Sequence, residues 1–150
     1  SINTGSFAIQ IDYCGIVCNV ILRISGSGNC NGCESRHCGR SDFFHFPVSS
    51  IIVTNDGREF YGVNVETSSP AAGVCAERNA LYNAISNGVK KEDIKEIHVM
   101  SNNGVYPCFI CRASLIDYCP KIIVYDKLGN TKEAILKDLC THSFSSEDLL

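Results

Sequence analysis

Val74-Cys75-Ala76-Glu77-Arg78-Asn79-Ala80-Leu81-Tyr82-Asn83-Ala84-Ile85-Ser86-Asn87-Gly88 is the stretch around which the chain is organised. Ala80, Leu81, Ala84 and Ile85 recur at helical spacing and Gly88 supplies a stop, so a helix is predicted over residues 76–87. Upstream, residues 46–53 and 59–65 read as strands. They flank the turn signal Asn55-Asp56-Gly57, which makes the pair a hairpin. A loop over 66–73 leads into the helix. Downstream come a short buried strand at 96–100, a loop at 101–107 and a second helix at 108–118 halted by Pro120. A buried strand at 121–125, a turn at Gly129, a strand at 130–134 and a short helix at 135–139 complete the series. Strands alternating with helices after a hairpin predict a three-layer α/β/α fold: a mixed sheet of about five strands with helices on both faces.

The 150 residues suit one domain spanning the whole chain, with no repeat and no internal boundary. Residues 1–40 are the least regular part. Within 7–24, Cys14, Val17, Cys18, Ile21 and Leu22 fall on one helical face, although β-branched residues weaken that helix. Residues 25–40 form a loop rich in Gly, Ser, Asn and Cys. Hydrophobic residues make up 45% and charged residues 19%, a globular balance. The net charge of −3 carries no basic stripe, which argues against a nucleic-acid partner and suits a small neutral substrate. No apolar run reaches membrane-spanning length. Residues 1–6 hold no basic group, so no secretory leader is expected. Ten cysteines in that setting point to metal ligation in a reducing, cytoplasmic environment rather than to disulfides. Cys14, Cys18, Cys119 and Cys140 read as small core residues.

The chemistry-bearing residues stand in two places. Cys75 precedes Glu77 by two positions, and Tyr106-Pro107-Cys108-Phe109-Ile110-Cys111-Arg112 holds a Pro-Cys-x-x-Cys clamp. Cys108 and Cys111 project from one helical turn toward one point. Cys75 also opens a helix, where the helix dipole favours a thiolate. Three thiolates hold a zinc ion and leave its fourth position for water, and Glu77 is then free to move protons. That is the layout of a hydrolytic zinc site rather than a closed structural one. Cys75 and Glu77 reach the same site only if Cys75 is a cap residue, ahead of regular helical geometry. Three thiolates leave the centre negative, so a neighbouring cation is needed, and Arg78 is preferred over Arg112 as a donor to the sulfurs. The Cys108-x-x-Cys111 clamp alone also reads as half of a structural zinc site, and Cys75-Ala76-Glu77 alone carries almost no information.

With both motifs in order, the chain resembles the small homo-oligomeric cytidine deaminases from about Phe43 to Leu149. Their signature is a zinc ligand, any residue, Glu, and then Pro-Cys-x-x-Cys. Gly62-Val63-Asn64-Val65-Glu66 is similar to the family's Gly-x-Asn-x-Glu segment, and Phe144-Ser145-Ser146-Glu147-Asp148-Leu149 to its ending. The resemblance implies one zinc held by Cys75, Cys108 and Cys111, and water attacking C4 of a cytosine ring. It gives Glu77 the task of taking the water's proton, delivering one to N3 and assisting the departure of ammonia. It also implies ribose contacts from Asn64 and Glu66, packing of Phe46 on the base, and a contact of the Ala76 N–H with the pyrimidine O2. Phe144 resembles a residue that closes a neighbouring subunit's pocket, so a homotetramer is implied. Read without the resemblance, Phe46 is core, Asn64 a turn residue and Phe144 a tail anchor.

The chain departs from the family's usual pattern at Asp42-Phe43-Phe44, Ser49-Ser50, Thr67, Pro70, Phe109 and Ala113. Phe109 stands where a glycine is usual and is expected to add bulk beside the metal. An intact metal set with altered pocket walls keeps two alternatives open: a deaminase of another nucleoside, such as a blasticidin-type antibiotic, and a catalytically silent zinc- and nucleoside-binding protein. Cys30, Cys33, His37 and Cys38 have no counterpart in the family. Their spacing suits a second zinc, but four ligands so close in sequence crowd a tetrahedron, which favours a loop with free thiols.

Overall fold

The computed structural model describes residues 46–149. The expectations for residues 1–40, including the Cys30, Cys33, His37 and Cys38 cluster, lie outside the described residues. The elements are β1 (Ser49–Thr54), β2 (Glu59–Val63), α1 (Ala76–Ser86), β3 (Ile94–Met100), α2 (Phe109–Leu115), β4 (Lys121–Tyr125) and β5 (Thr131–Ile135). Short 3-10 turns lie at Pro70–Ala72, Lys91–Asp93, Leu136–Leu139 and Ser146–Leu149.

The five strands form one sheet in the order β2-β1-β3-β4-β5. β3 and β4 pair in parallel, and the other neighbours are antiparallel. The hairpin turn forms as its sequence demands, with Gly57 at φ 87°. β1 and β2 are shorter than their apolar runs. Phe46 to Val48 stays outside the ladder because the Asn64 side chain holds it: Val48 N donates to Asn64 Oδ1 (2.8 Å), and Asn64 Nδ2 donates to the Phe46 carbonyl (3.0 Å). Val65 leaves β2 to pair with Val74 through two backbone hydrogen bonds of 2.9 and 3.0 Å.

Both described α-helices lie on one face of the sheet, packed in one core cluster. Strand order gives the reason. β2, β3 and β4 run in the same direction, and the crossovers through α1 and α2 advance across the sheet in the same sense. Two right-handed crossovers advancing the same way place their helices on the same side. The core there joins Ile52, Ile97, Val99, Ile122 and Val124 of the sheet to Ala80, Leu81 and Ala84 of α1 and to Leu115 and Cys119 at the end of α2. The opposite face is buried as well, at Ile51, Met100 and Ile123.

α1 sits unusually close to β2. A Cβ at Gly62 would lie 2.1 Å from Ala80 N and 2.4 Å from the Ala76 carbonyl, so only glycine fits between helix and strand. Two asparagines, poor helix formers, are accounted for by the same contact: Asn79 Nδ2 donates to the Val63 carbonyl (2.9 Å) and Asn83 Nδ2 to the Tyr61 carbonyl (3.0 Å). They satisfy outward carbonyls of an edge strand that would otherwise stay open for pairing.

Candidate metal centre and active site

Cys75 is the N-cap of α1, with φ −73° and ψ 153°, and Cys108 is the N-cap of α2, with φ −63° and ψ 165°. The extended backbone at Cys75 is what the two-residue spacing to Glu77 required. The loop over 101–107 carries the chain from β3 to Cys108, and Cys111 follows one turn into α2. Two helix N-termini therefore meet at one point, and each favours negative charge there.

The sulfurs of Cys75, Cys108 and Cys111 all lie within 4.8 Å of one another, and Cys75 Sγ is 3.9 Å from Cys108 Sγ. Zinc–sulfur bonds of about 2.3 Å in a tetrahedron place sulfurs about 3.8 Å apart, so the cluster fits a zinc ion with little movement. Among the described residues no fourth Cys, His or carboxylate lies that close to all three. A set of three protein ligands with one open position matches a catalytic zinc site.

Hydrogen bonds from Cys111, Arg78 and Cys108 lower Cys75 to about 5, against the opposing effect of burial. The donated proton and burial push Cys111 up. Within the cluster these bonds favour the thiolate at Cys75. Arg78 Nη2 lies 3.9 Å from Cys75 Sγ and supplies the cation that the sequence called for. Arg112 does not point at the sulfurs. Its Nε donates to the Pro107 carbonyl (2.8 Å) and its Nη1 to the Leu139 carbonyl (3.2 Å).

Glu77, in the first turn of α1, is only 6% exposed. Burial lifts its carboxyl to about 7, aided by the negative charge of Cys75 and opposed by Arg78 and a hydrogen bond with Cys111. A carboxyl held near neutrality exchanges protons in both directions at physiological pH.

Residues 33–127 match the family model described as the cytidine and deoxycytidylate deaminase zinc-binding region. The chain belongs to this family. Among curated relatives, a cytidine deaminase of Sporosarcina psychrophila is 30% identical over 107 residues, covering 69% of this chain and 79% of that protein. A probable cytidine deaminase of Dictyostelium discoideum is 32% identical over 122 residues, covering 80% and 81%. The crystal structure of cytidine deaminase from Burkholderia pseudomallei superposes with a TM-score of 0.71 at 26% identity, covering 84% of this chain and 98% of that one. The fold class is therefore the α/β cytidine-deaminase-like fold, and the three-sulfur cluster is the place in it that fits one zinc per chain.

The remaining residues singled out by the family resemblance come from the approach to β1, the segment between β2 and α1, and the tail. The Val65–Val74 pairing draws Asn64 and Glu66 toward the start of α1, next to Cys75. Asn64 holds Phe46 in place through the bonds described above. Ala76 is the first residue of α1 and fully buried, with an N–H that no intrahelical partner uses. Phe144 is 70% exposed on the tail, and Phe109 is 78% exposed. Phe109 does not crowd the sulfurs as expected: its ring lies 4.9 Å from the Arg112 guanidinium carbon and faces outward. The part played by Arg112 was missed from the sequence, because the carbonyls it binds come together only in the fold. All five described cysteines are free thiols. No helix of the described residues is long and apolar enough to cross a membrane.

Proposed function

We propose that the protein deaminates free cytidine and deoxycytidine to uridine and deoxyuridine, releasing ammonia. The observation that carries this reading is the three-sulfur cluster beside a buried Glu77 whose carboxyl sits near neutrality. When bound, zinc supplies the Lewis acidity that makes water nucleophilic at neutral pH. Glu77 takes a proton from the attacking water and passes it to ring N3 as the new bond forms at C4. It then moves the remaining hydroxyl proton to the amino group, which leaves as ammonia and gives the C4 carbonyl of the product. Arg78 offsets the charge of the thiolates. Asn64 and Glu66 orient the ribose, Phe46 packs on the base and the Ala76 N–H meets the pyrimidine O2. These roles rest on family likeness; for Asn64, Glu66 and Ala76 the Val65–Val74 pairing at the start of α1 adds position.

The solvent-facing Phe109, Ile110, Phe144 and Leu149 support burial between copies of the chain, with a homotetramer as the assembly. Free thiols suit a reducing cytoplasm. Residues 1–150 are read as one domain.

The test is ammonia release with loss of cytidine absorbance, on zinc-loaded protein, across cytidine, deoxycytidine, deoxycytidylate and blasticidin S. Turnover of the two nucleosides is expected. Glu77→Gln should lower it by roughly 100- to 10,000-fold while zinc content is retained. A zinc-loaded protein that binds cytidine without turning it over would overturn the proposal.

A further inference from the structure

We propose that Arg112 is a positioning residue that sets the geometry of the metal clamp and ties it to the C-terminal segment. This rests on the reading of Cys108 and Cys111 as zinc ligands. α2 has only seven residues, too few to be stable alone, and its N-cap is a cysteine that makes no side-chain capping bond. The end of the helix that carries two ligands therefore needs support from elsewhere.

Arg112 provides it twice. Its backbone N–H closes the first turn on the Cys108 carbonyl (2.9 Å). Its side chain folds back so that Nε reaches the Pro107 carbonyl (2.8 Å), fixing the residue just before Cys108. The other arm of the guanidinium binds the Leu139 carbonyl (3.2 Å), at the end of the Leu136–Leu139 turn from which the tail bearing Phe144 departs. Phe109, between the two cysteines, lays its ring against the same guanidinium. Two carbonyls taken by one planar fork is a geometry that a lysine ammonium on its flexible stem does not reproduce. The Phe109 ring, at the position where the family usually has glycine, thus serves to hold Arg112 in this pose.

The experiment compares wild-type protein, Arg112→Lys and Arg112→Ala, all loaded with zinc, with Arg58→Lys as a surface control. It reads zinc release to a chromophoric chelator, thermal midpoint, and kcat and KM separately. Arg112→Lys should release zinc roughly 10- to 100-fold faster, with kcat reduced more than KM is raised. Arg58→Lys should match wild type. Added methylguanidinium should slow release from Arg112→Ala, an effect that a purely structural loss would not show. Phe109→Ala should shift release in the same direction by less. Zinc release from Arg112→Lys at the wild-type rate, or no response of Arg112→Ala to methylguanidinium, would overturn the proposal. Failure of the cytidine assignment alone would appear as zinc-loaded wild-type protein without turnover, which leaves the release comparison intact. A wild-type chain that holds no zinc would overturn both.

Discussion

Ser50 carries a hydroxyl that no described residue accepts. It is 1% exposed, it faces α1 beside Gly62, and its Oγ has no hydrogen-bond partner among the described residues. A buried hydroxyl left unpaired costs about 1–3 kcal/mol, and alanine nearly fills the same space. Ser50→Ala is therefore expected to stabilise the protein by about 1 kcal/mol, raising the thermal midpoint by about 2–4 °C. A lowered midpoint would mean that the hydroxyl has found a partner. At this scale the convergence of Cys75, Cys108 and Cys111 was legible, because thiols at those spacings suit one metal ion. The two arginines were not equally so: Arg78 was preferred from the sequence as the donor to sulfur, whereas the carbonyls that hold Arg112 come together only in the fold.

The contact between β2 and α1 turns on Gly62. Alanine there would press its Cβ on the backbone at Ala80 and Ala76, and neither has a side chain that can rotate away. Helix and strand must separate, and the helix carries Cys75 and Glu77. Gly62→Ala should cost about 1–3 kcal/mol, read as a lower denaturant midpoint, and should weaken zinc retention as well. An unchanged midpoint would refute this account of the packing. Among the elements, β4 and the start of α1 fall where the periodicity of the sequence puts them. Boundaries moved where side chains or bridges compete with the ladder: Asn64 captures Phe46 to Val48, Val74 captures Val65, and α2 ends at Leu115, ahead of the expected 118. The contacts at Asn64 and Val74 join residues 9 to 18 positions apart, whereas α2 ends in a local turn closed by Tyr118 and Cys119 on the Leu115 carbonyl.

Across the whole molecule, mixed α/β organisation was legible from the order of elements, whereas the placement of both described helices on one face depends on strand order, which periodicity does not encode. The other face holds a buried titratable group. His98 Nε2 lies 2.9 Å from Glu96 Oε1, and Nδ1 lies 2.8 Å from the Tyr125 hydroxyl. The carboxylate can only accept, so Nε2 carries the proton and Nδ1 accepts from tyrosine. Burial lowers the His98 pKa below its usual 6.5, outweighing the attraction of Glu96 and acting with Lys121 and Lys95. Above that value both folded and unfolded chains hold neutral imidazole. Below it the unfolded chain takes up a proton first, so stability is lost as pH falls toward the folded pKa. The thermal midpoint should drop between about pH 7.5 and about pH 5.5 more steeply in wild type than in His98→Gln. Parallel profiles would exclude His98 as the cause.

The Val65–Val74 pairing closes residues 66–73 at their base, and Ser68 to Ala72 at the far end are exposed. Chain length at that far end does not alter the Val65–Val74 neck. Residues grafted between Ser68 and Ser69 extend outward from a fixed neck, so this hairpin-like bight offers a handle for a tag or fused peptide while Asn64 and Cys75 keep their separation.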